Sequence, residues 1–202
     1  GPGTDTTGYR VVFGETDHLP GLVVDRFDDT VVFQISTTGM DRFRLDVIAA
    51  IEEALDPKNI VERSDLAVRE EELLEEVVAV HKGSADDLVE FKEHGVKFLA
   101  DVKGGQKTGF FLDQKDTRSA LGRFAEGKKV LSLFSYSGAA GVAMMKGGAL
   151  SVHNMDSSEE ALELCEKHAK LHKIKAANFT TESTDIFQWL GEQKDGDHDM
   201  VV

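Results

Sequence analysis

Between Val130 and Val202, short apolar runs alternate with amphipathic stretches, and no other feature restricts the fold as strongly. Residues 130–134, 151–155 and 178–181 have the length and apolar content of buried strands. The stretch Ala139–Lys146 reads as a helix closed by a glycine cap at Gly147-Gly148. Ser157 or Ser158 opens a longer helix whose first turn carries Glu159 and Glu160, where the helix dipole favours acids. A third helix is expected over 184–193, and residues 199–202 begin a fourth strand. Such units cross right-handedly and build a doubly wound parallel sheet. With its fourth strand barely begun, that sheet would expose an edge and an apolar face, so we read the chain as a fragment of a longer protein.

The first half has a different rhythm. Residues 9–13, 22–27 and 31–35 are Val-rich and bracketed by Gly, Pro and Asp, as strands joined by turns. Over 41–55 the apolar set Phe43, Val47, Ile48, Ile51 and Leu55 falls on one helical face, and Asp56-Pro57 ends that helix. Further strands are expected at 60–62, 77–80, 89–92 and 96–100. The fold class is therefore α/β: a small, mainly antiparallel α+β domain over 1–100, then the opening part of a Rossmann-like parallel-sheet domain over 101–202.

Charge and cysteine content exclude several functions. The 37 acids against 23 bases give a net charge of −14, and residues 1–100 hold 22 of those acids against 10 bases. A surface this acidic is not that of a general nucleic-acid binder, because phosphate affinity rests on Lys and Arg. Within 101–130 the sign reverses, with seven bases against four acids, and that segment can meet an anionic ligand or an RNA strand. One cysteine excludes an internal disulfide or a multi-cysteine zinc site. No apolar run reaches the ~20 residues of a membrane span, so we expect a cytoplasmic protein away from membranes.

In open parallel sheets the ligand sits beyond the carboxyl ends of the strands. Here the first such loop is Phe134-Ser135-Tyr136-Ser137-Gly138. It lacks the three glycines that let a backbone approach a pyrophosphate, and no triphosphate-binding loop exists elsewhere. Asp156, at the end of the second strand, is placed to accept two ribose hydroxyls; its competing role is a helix N-cap. A ribose without a pyrophosphate describes S-adenosylmethionine. Asp185 could accept from the adenine amine, with an N-cap as the equally weighted alternative. Residues 104–118, GGQKTGFFLDQKDTR, offer Lys107 for anion contact and Phe110 and Phe111 as stacking surfaces, or else a domain-joining turn with core aromatics.

Taken together, GQKTGFFLDQKDTR at 105–118 and VLSLFSYSGAAGVAMMKGGALSVHNMDSS at 130–158 resemble the class I S-adenosylmethionine-dependent methyltransferases that form 5-methylcytosine in large-subunit ribosomal RNA. GETDHLPGLVVDRFDDTVVFQI at 14–35 and VERSD at 61–65 resemble that family's central domain, which follows an N-terminal PUA domain. The resemblance implies that Phe134, Ser135, Tyr136 and Gly138 wrap the cofactor's methionine part. It further implies that Asp156 with Ser157 holds the ribose and that Asp185 lies near adenine. Lys107, Phe111, Asp113 and Gln114 would line the pocket from the linker side. The implied partner is ribosomal RNA, while a homodimer is left open. Lys115 departs from the family's more usual Arg, and His168 and His172 stand where Asn is common.

Making 5-methylcytosine takes a thiolate that attacks C6 of an unstacked base. The family's nucleophile lies downstream of the fourth-strand motif, beyond Val202, so no catalytic residue is expected in this chain. Cys165 sits mid-helix and reads as a small core residue. Cys165, His168 and His172 share a helical face, but a straight helix does not converge three ligands on one ion, so no metal is expected. Two rivals remain: a guanine-N2 or other amine methyltransferase on the same platform, and a non-catalytic binding module that keeps the fold.

Overall fold

A computed structural model describes residues 2–84, 86–192 and 196–202, and divides the chain into two compact units, Gly1–Leu112 and Asp113–Val202. In the first unit, β1 (Gly8–Phe13), β2 (Leu22–Phe27) and β3 (Thr30–Ile35) form an antiparallel meander. Two helices follow, α1 (Thr38–Asp41) and α2 (Arg44–Leu55), in place of the single helix expected over 41–55. They cross over to β4 (Asn59–Ser64), which pairs in parallel with β3. After the short α3 (Val68–Glu71), β5 (Val77–Lys82) completes a five-stranded sheet in sequence order. The helix stops at Asp56, which takes a left-handed φ of 40° ahead of Pro57.

A separate hairpin joins β6 (Leu88–Glu93) to β7 (Val96–Asp101) through His94-Gly95, both at positive φ as a tight hairpin turn requires. Its apolar side meets the sheet in an aromatic cluster. The Phe91 ring lies 5.1 Å from that of Phe27 and 4.9 Å from that of Phe110. Phe110 is thus a core residue and not a stacking surface, at 1% exposed.

Residues 101–112, grouped by charge with the second half, fold with the first unit because polar bonds pin them there. Thr108 Oγ1 donates to the buried Asp25 carboxylate at 2.6 Å. Gln34 Nε2 donates to the Lys107 carbonyl at 3.1 Å, and Arg63 Nη2 to that of Gly105 at 2.8 Å.

The second unit opens with α4 (Lys115–Phe124), a helix that the glycine-rich text of 104–118 does not announce. Then come β8 (Lys129–Leu133), α5 (Ala139–Lys146), β9 (Ser151–Asp156), α6 (Glu159–Leu171), β10 (Phe179–Ser183), α7 (Ile186–Glu192) and β11 (Met200–Val201). Gln193, expected to end the last helix, lies outside the described residues. All four strands are parallel, in the order β10-β9-β8-β11, the Rossmann-like arrangement. On one face α5 and α6 pack on β9; on the other, Ile186 and Trp189 of α7 pack with Leu131, Leu133 and Met155. Among the described residues no helix is long and apolar enough to cross a membrane.

The close of α5 depends on two different properties of glycine. Gly148, at φ +97°, is the left-handed residue. Gly147 has ordinary helical angles, but a Cβ there would sit 1.9 Å from the Gly122 carbonyl oxygen of α4. Since backbone must move to admit that methyl, Gly147→Ala is expected to destabilise the protein by about 1–3 kcal/mol in urea unfolding. An unchanged midpoint contradicts this packing.

Candidate functional site

The carboxyl end of β8 opens into a loop of unusual backbone. β8 ends at Leu133, and the chain then turns through Phe134 (φ +51°), Tyr136 (φ +47°) and Gly138 (φ +68°). Each non-glycine residue held left-handed costs roughly 1–2 kcal/mol, so the loop persists only because other bonds hold it. Those bonds come mainly from the neighbouring strand. Ser135 N–H donates to the Met155 carbonyl at 2.9 Å, and Gly138 N–H to that of Ser135 at 2.8 Å. Tyr136 N–H donates to Asp156 Oδ2 at 2.8 Å.

Asp156 is the hub. Its Oδ1 accepts Ser158 N–H at 3.0 Å, while Ser158 Oγ caps α6 by accepting Ala161 N–H at 3.1 Å. Ser158, not Asp156 or Ser157, is therefore the N-cap, and the carboxylate bridges two loops. Each of its oxygens keeps a further lone pair, and the half-buried side chain remains reachable. Ser157 is exposed beside it. A second vacancy in bonding lies in the same loop: Ser135 Oγ is buried with no hydrogen-bond partner among the described residues. A buried hydroxyl without a partner is unfavourable, and a ligand polar group would relieve it.

Beneath the loop, α6 contributes two residues that pattern reading assigned only to packing. Cys165 Sγ fills the space where a Cβ on Gly138 would sit, 2.1 Å from it. The fully buried His168 donates from Nδ1 to the Ser137 carbonyl at 2.8 Å. The signal was present in the i, i+3 spacing of Cys165 and His168, but it identifies one helix face without saying what lies under it. Burial, with Glu166 and Asp156 adding to it, pushes the Cys165 thiol up to about 12. It is therefore neither a nucleophile nor an exposed redox group.

Asp185 behaves differently. Its Oδ1 accepts Phe187 N–H at 2.9 Å and Gln188 N–H at 3.1 Å, so the N-cap role is realised, with Oδ2 remaining. Phe187 and Phe134, both largely exposed, meet with ring centroids 5.6 Å apart. Gln114 is exposed at the head of α4. Lys107 and Phe111 belong to the first unit, where Lys107 Nζ lies 4.3 Å from the Phe111 ring centre. The second unit thus brings Phe134, Ser135, Tyr136, Gly138, Asp156 and Ser157 into one loop cluster.

The sequence pattern of the S-adenosylmethionine-dependent methyltransferases matches residues 74–202. The chain is 39% identical over 200 residues to the ribosomal RNA large subunit methyltransferase I of Tolumonas auensis, covering 97% of this chain and 50% of that protein. It thus spans about half the length of this relative. A candidate SAM-dependent methyltransferase from Streptococcus mutans superposes with a TM-score of 0.83 at 27% identity, covering 94% of this chain and 49% of its own. A candidate methyltransferase solved in complex with SAH gives 0.83 at 26% identity, over 94% and 48%.

Two outcomes test the loop. Gly138→Ala is expected to destabilise the protein, and Gly138→Ala with Cys165→Gly to recover only part of the loss, since the left-handed φ remains strained. Full recovery in calorimetric melting contradicts that account. Because the fold favours the neutral thiol, its contribution is complete below the ordinary value of 9.0 and is lost as pH rises towards about 12. Cys165→Ala is expected to flatten the fall in thermal stability over that window, and an unaltered slope contradicts the assignment.

Proposed function

Because the chain belongs to the S-adenosylmethionine-dependent methyltransferase family, we propose that its second unit binds S-adenosylmethionine and that the protein methylates large-subunit ribosomal RNA, forming 5-methylcytosine. The observation that carries the cofactor reading is Asp156, a carboxylate at the end of β9 with one backbone amide on each oxygen and acceptor capacity left over. Ribose hydroxyls donate to such a group in pairs. Phe134, Ser135, Tyr136 and Gly138 then take the methionine part, with the Ser135 hydroxyl, which has no hydrogen-bond partner among the described residues, as a polar contact. Ser157 joins Asp156 at the ribose, and Asp185 retains one free oxygen for the adenine side.

When bound, the cofactor supplies an electrophilic methyl group on a sulfonium. The chain's own residues position it: strained backbone at 134 and 136 shapes the grip, and His168 and Cys165 hold that backbone from below. The target and product rest on the 105–118 and 130–158 resemblance and on the rRNA methyltransferase similarity. Attack on a cytosine C6 requires a thiolate, and Cys165, the chain's single cysteine, is buried with its thiol raised to about 12. The role proposed for these residues is therefore to hold the methyl donor.

Calorimetric titration with S-adenosylhomocysteine is expected to show binding that Asp156→Ala weakens at least tenfold, and equal affinity overturns the ribose assignment. For the product, deleting the gene in its host is expected to remove one 5-methylcytosine from large-subunit rRNA, read by mass spectrometry of nuclease digests. Retention of every 5-methylcytosine, or loss of a methylguanosine instead, contradicts the proposed product.

A further inference from the structure

The first unit carries an apolar groove that the cofactor reading does not use. It has a volume of about 490 Å³ and runs along α2 over β1 and β2, and among the described residues Asp46 is the only charged side chain lining it. Its floor is Val11, Leu22 and Val24; Leu19 and Phe43, 40% and 59% exposed, border the end where α2 begins, and Leu55 borders the other. α2 presents two rows four residues apart. Val47, Ile51 and Leu55 line its inner wall and pack on the core, while Asp46, Ala50 and Ala54 line its outer, exposed side. Small side chains at 50 and 54 let a second helix approach to the ~8–10 Å at which helices pack.

The rim decides what kind of helix. Asp46 and Glu53 lie one i, i+7 step apart along α2, and the turn Gly14–Asp17 brings Glu15 and Asp17 beside Leu19. Against these acids stand Arg42, next to Phe43, and Arg26, whose guanidinium is tied to the Asp28 and Leu55 carbonyls at the far end, while Arg44 is engaged with Asp41 and Glu62. The surrounding residues 1–100 carry a twelve-charge excess of acids, 22 against 10. An RNA strand is repelled by such a rim and finds no polar contacts on such a floor. We propose that this groove seats a cationic amphipathic helix of a partner protein, its apolar stripe on Val11, Leu22 and Ala50 and its Lys or Arg residues beside Asp46 and Glu53. Apolar area supplies the affinity, and the acidic rim selects the sign of the flanks and speeds encounter.

The probe is a fluorescein-labelled 15-residue Leu/Lys peptide of helical amphipathic pattern, titrated by anisotropy against the full 202-residue chain at fixed salt. It is expected to bind, whereas a Leu/Glu peptide with the same apolar stripe is expected to bind at least tenfold more weakly. The exposed-site variant Ala50→Arg/Ala54→Arg is expected to lose at least tenfold in affinity for the Leu/Lys peptide. Asp46→Lys/Glu53→Lys is expected to weaken it and flatten its salt dependence. Peptide-induced protection of α2 amides from hydrogen exchange gives a second readout on the unmodified chain. Affinity unchanged by Ala50→Arg/Ala54→Arg, equal binding of both peptides, or protection elsewhere than α2 overturns the proposal. So does a dimer in sedimentation that the Ala50→Arg/Ala54→Arg change disperses, because the occupant is then a second copy.

Discussion

The second unit depends on a single carboxylate bridging two loops. Asp156 binds Tyr136 N–H with one oxygen and Ser158 N–H with the other. Hydrogen bonds to a charged acceptor contribute about 1.5–3 kcal/mol each. Holding two non-glycine residues left-handed costs about 1–2 kcal/mol apiece. The two magnitudes are comparable, so a strained turn is affordable at the end of β8 only with this partner beside it. Relaxed loop geometry would take the Tyr136 amide away from Asp156 Oδ2. The same bridge fixes where α6 begins, and α6 in turn supports the turn through Cys165 and His168.

The first unit is organised around a different buried acid. Asp25 is fully buried and receives Arg10 through two bonds of 2.8 and 2.9 Å, with Thr108 as a third donor. Ion pairs taken out of water return little net stability, because desolvation offsets their attraction. What this one provides is register: it fixes β1 against β2 and draws residues 101–112 back onto the sheet. Charge counting grouped that segment with the second half, but charge composition reports on solvent exposure, while Thr108, Gln34 and Arg63 decide where its backbone is bonded.

Much of the architecture was legible because it is written in local periodicity. The strand–helix alternation after Val130 needs no long-range information, whereas the order β10-β9-β8-β11 rests on β11 returning to pair with β8, which local periodicity does not state. The place of Asp156 at the carboxyl end of β9 was legible for the same reason, since it closes the second apolar run. What sequence could not show is which bonds are made there. Asp185 reads equally as ligand contact or cap, and only the bonds to Phe187 and Gln188 show that the cap is made. Phe110 and Phe111 look alike in sequence, yet one closes the aromatic core and the other lies against Lys107. α4 escaped notice because its first turn, Lys115-Asp116-Thr117-Arg118, lacks an apolar stripe and follows a glycine-rich turn.

The central claim is that Asp156 has acceptor capacity left for a ribose after serving the backbone. Removing the side chain also loosens the loop, so altering the ligand is the cleaner measurement. Affinities of the unmodified chain for S-adenosylhomocysteine and for its 2′-deoxy analogue, compared by calorimetry, isolate the hydroxyl. A loss of at least tenfold for the deoxy compound is predicted. Equal affinities would mean that the carboxylate serves only its own backbone, and the adenosyl grip described here would be contradicted.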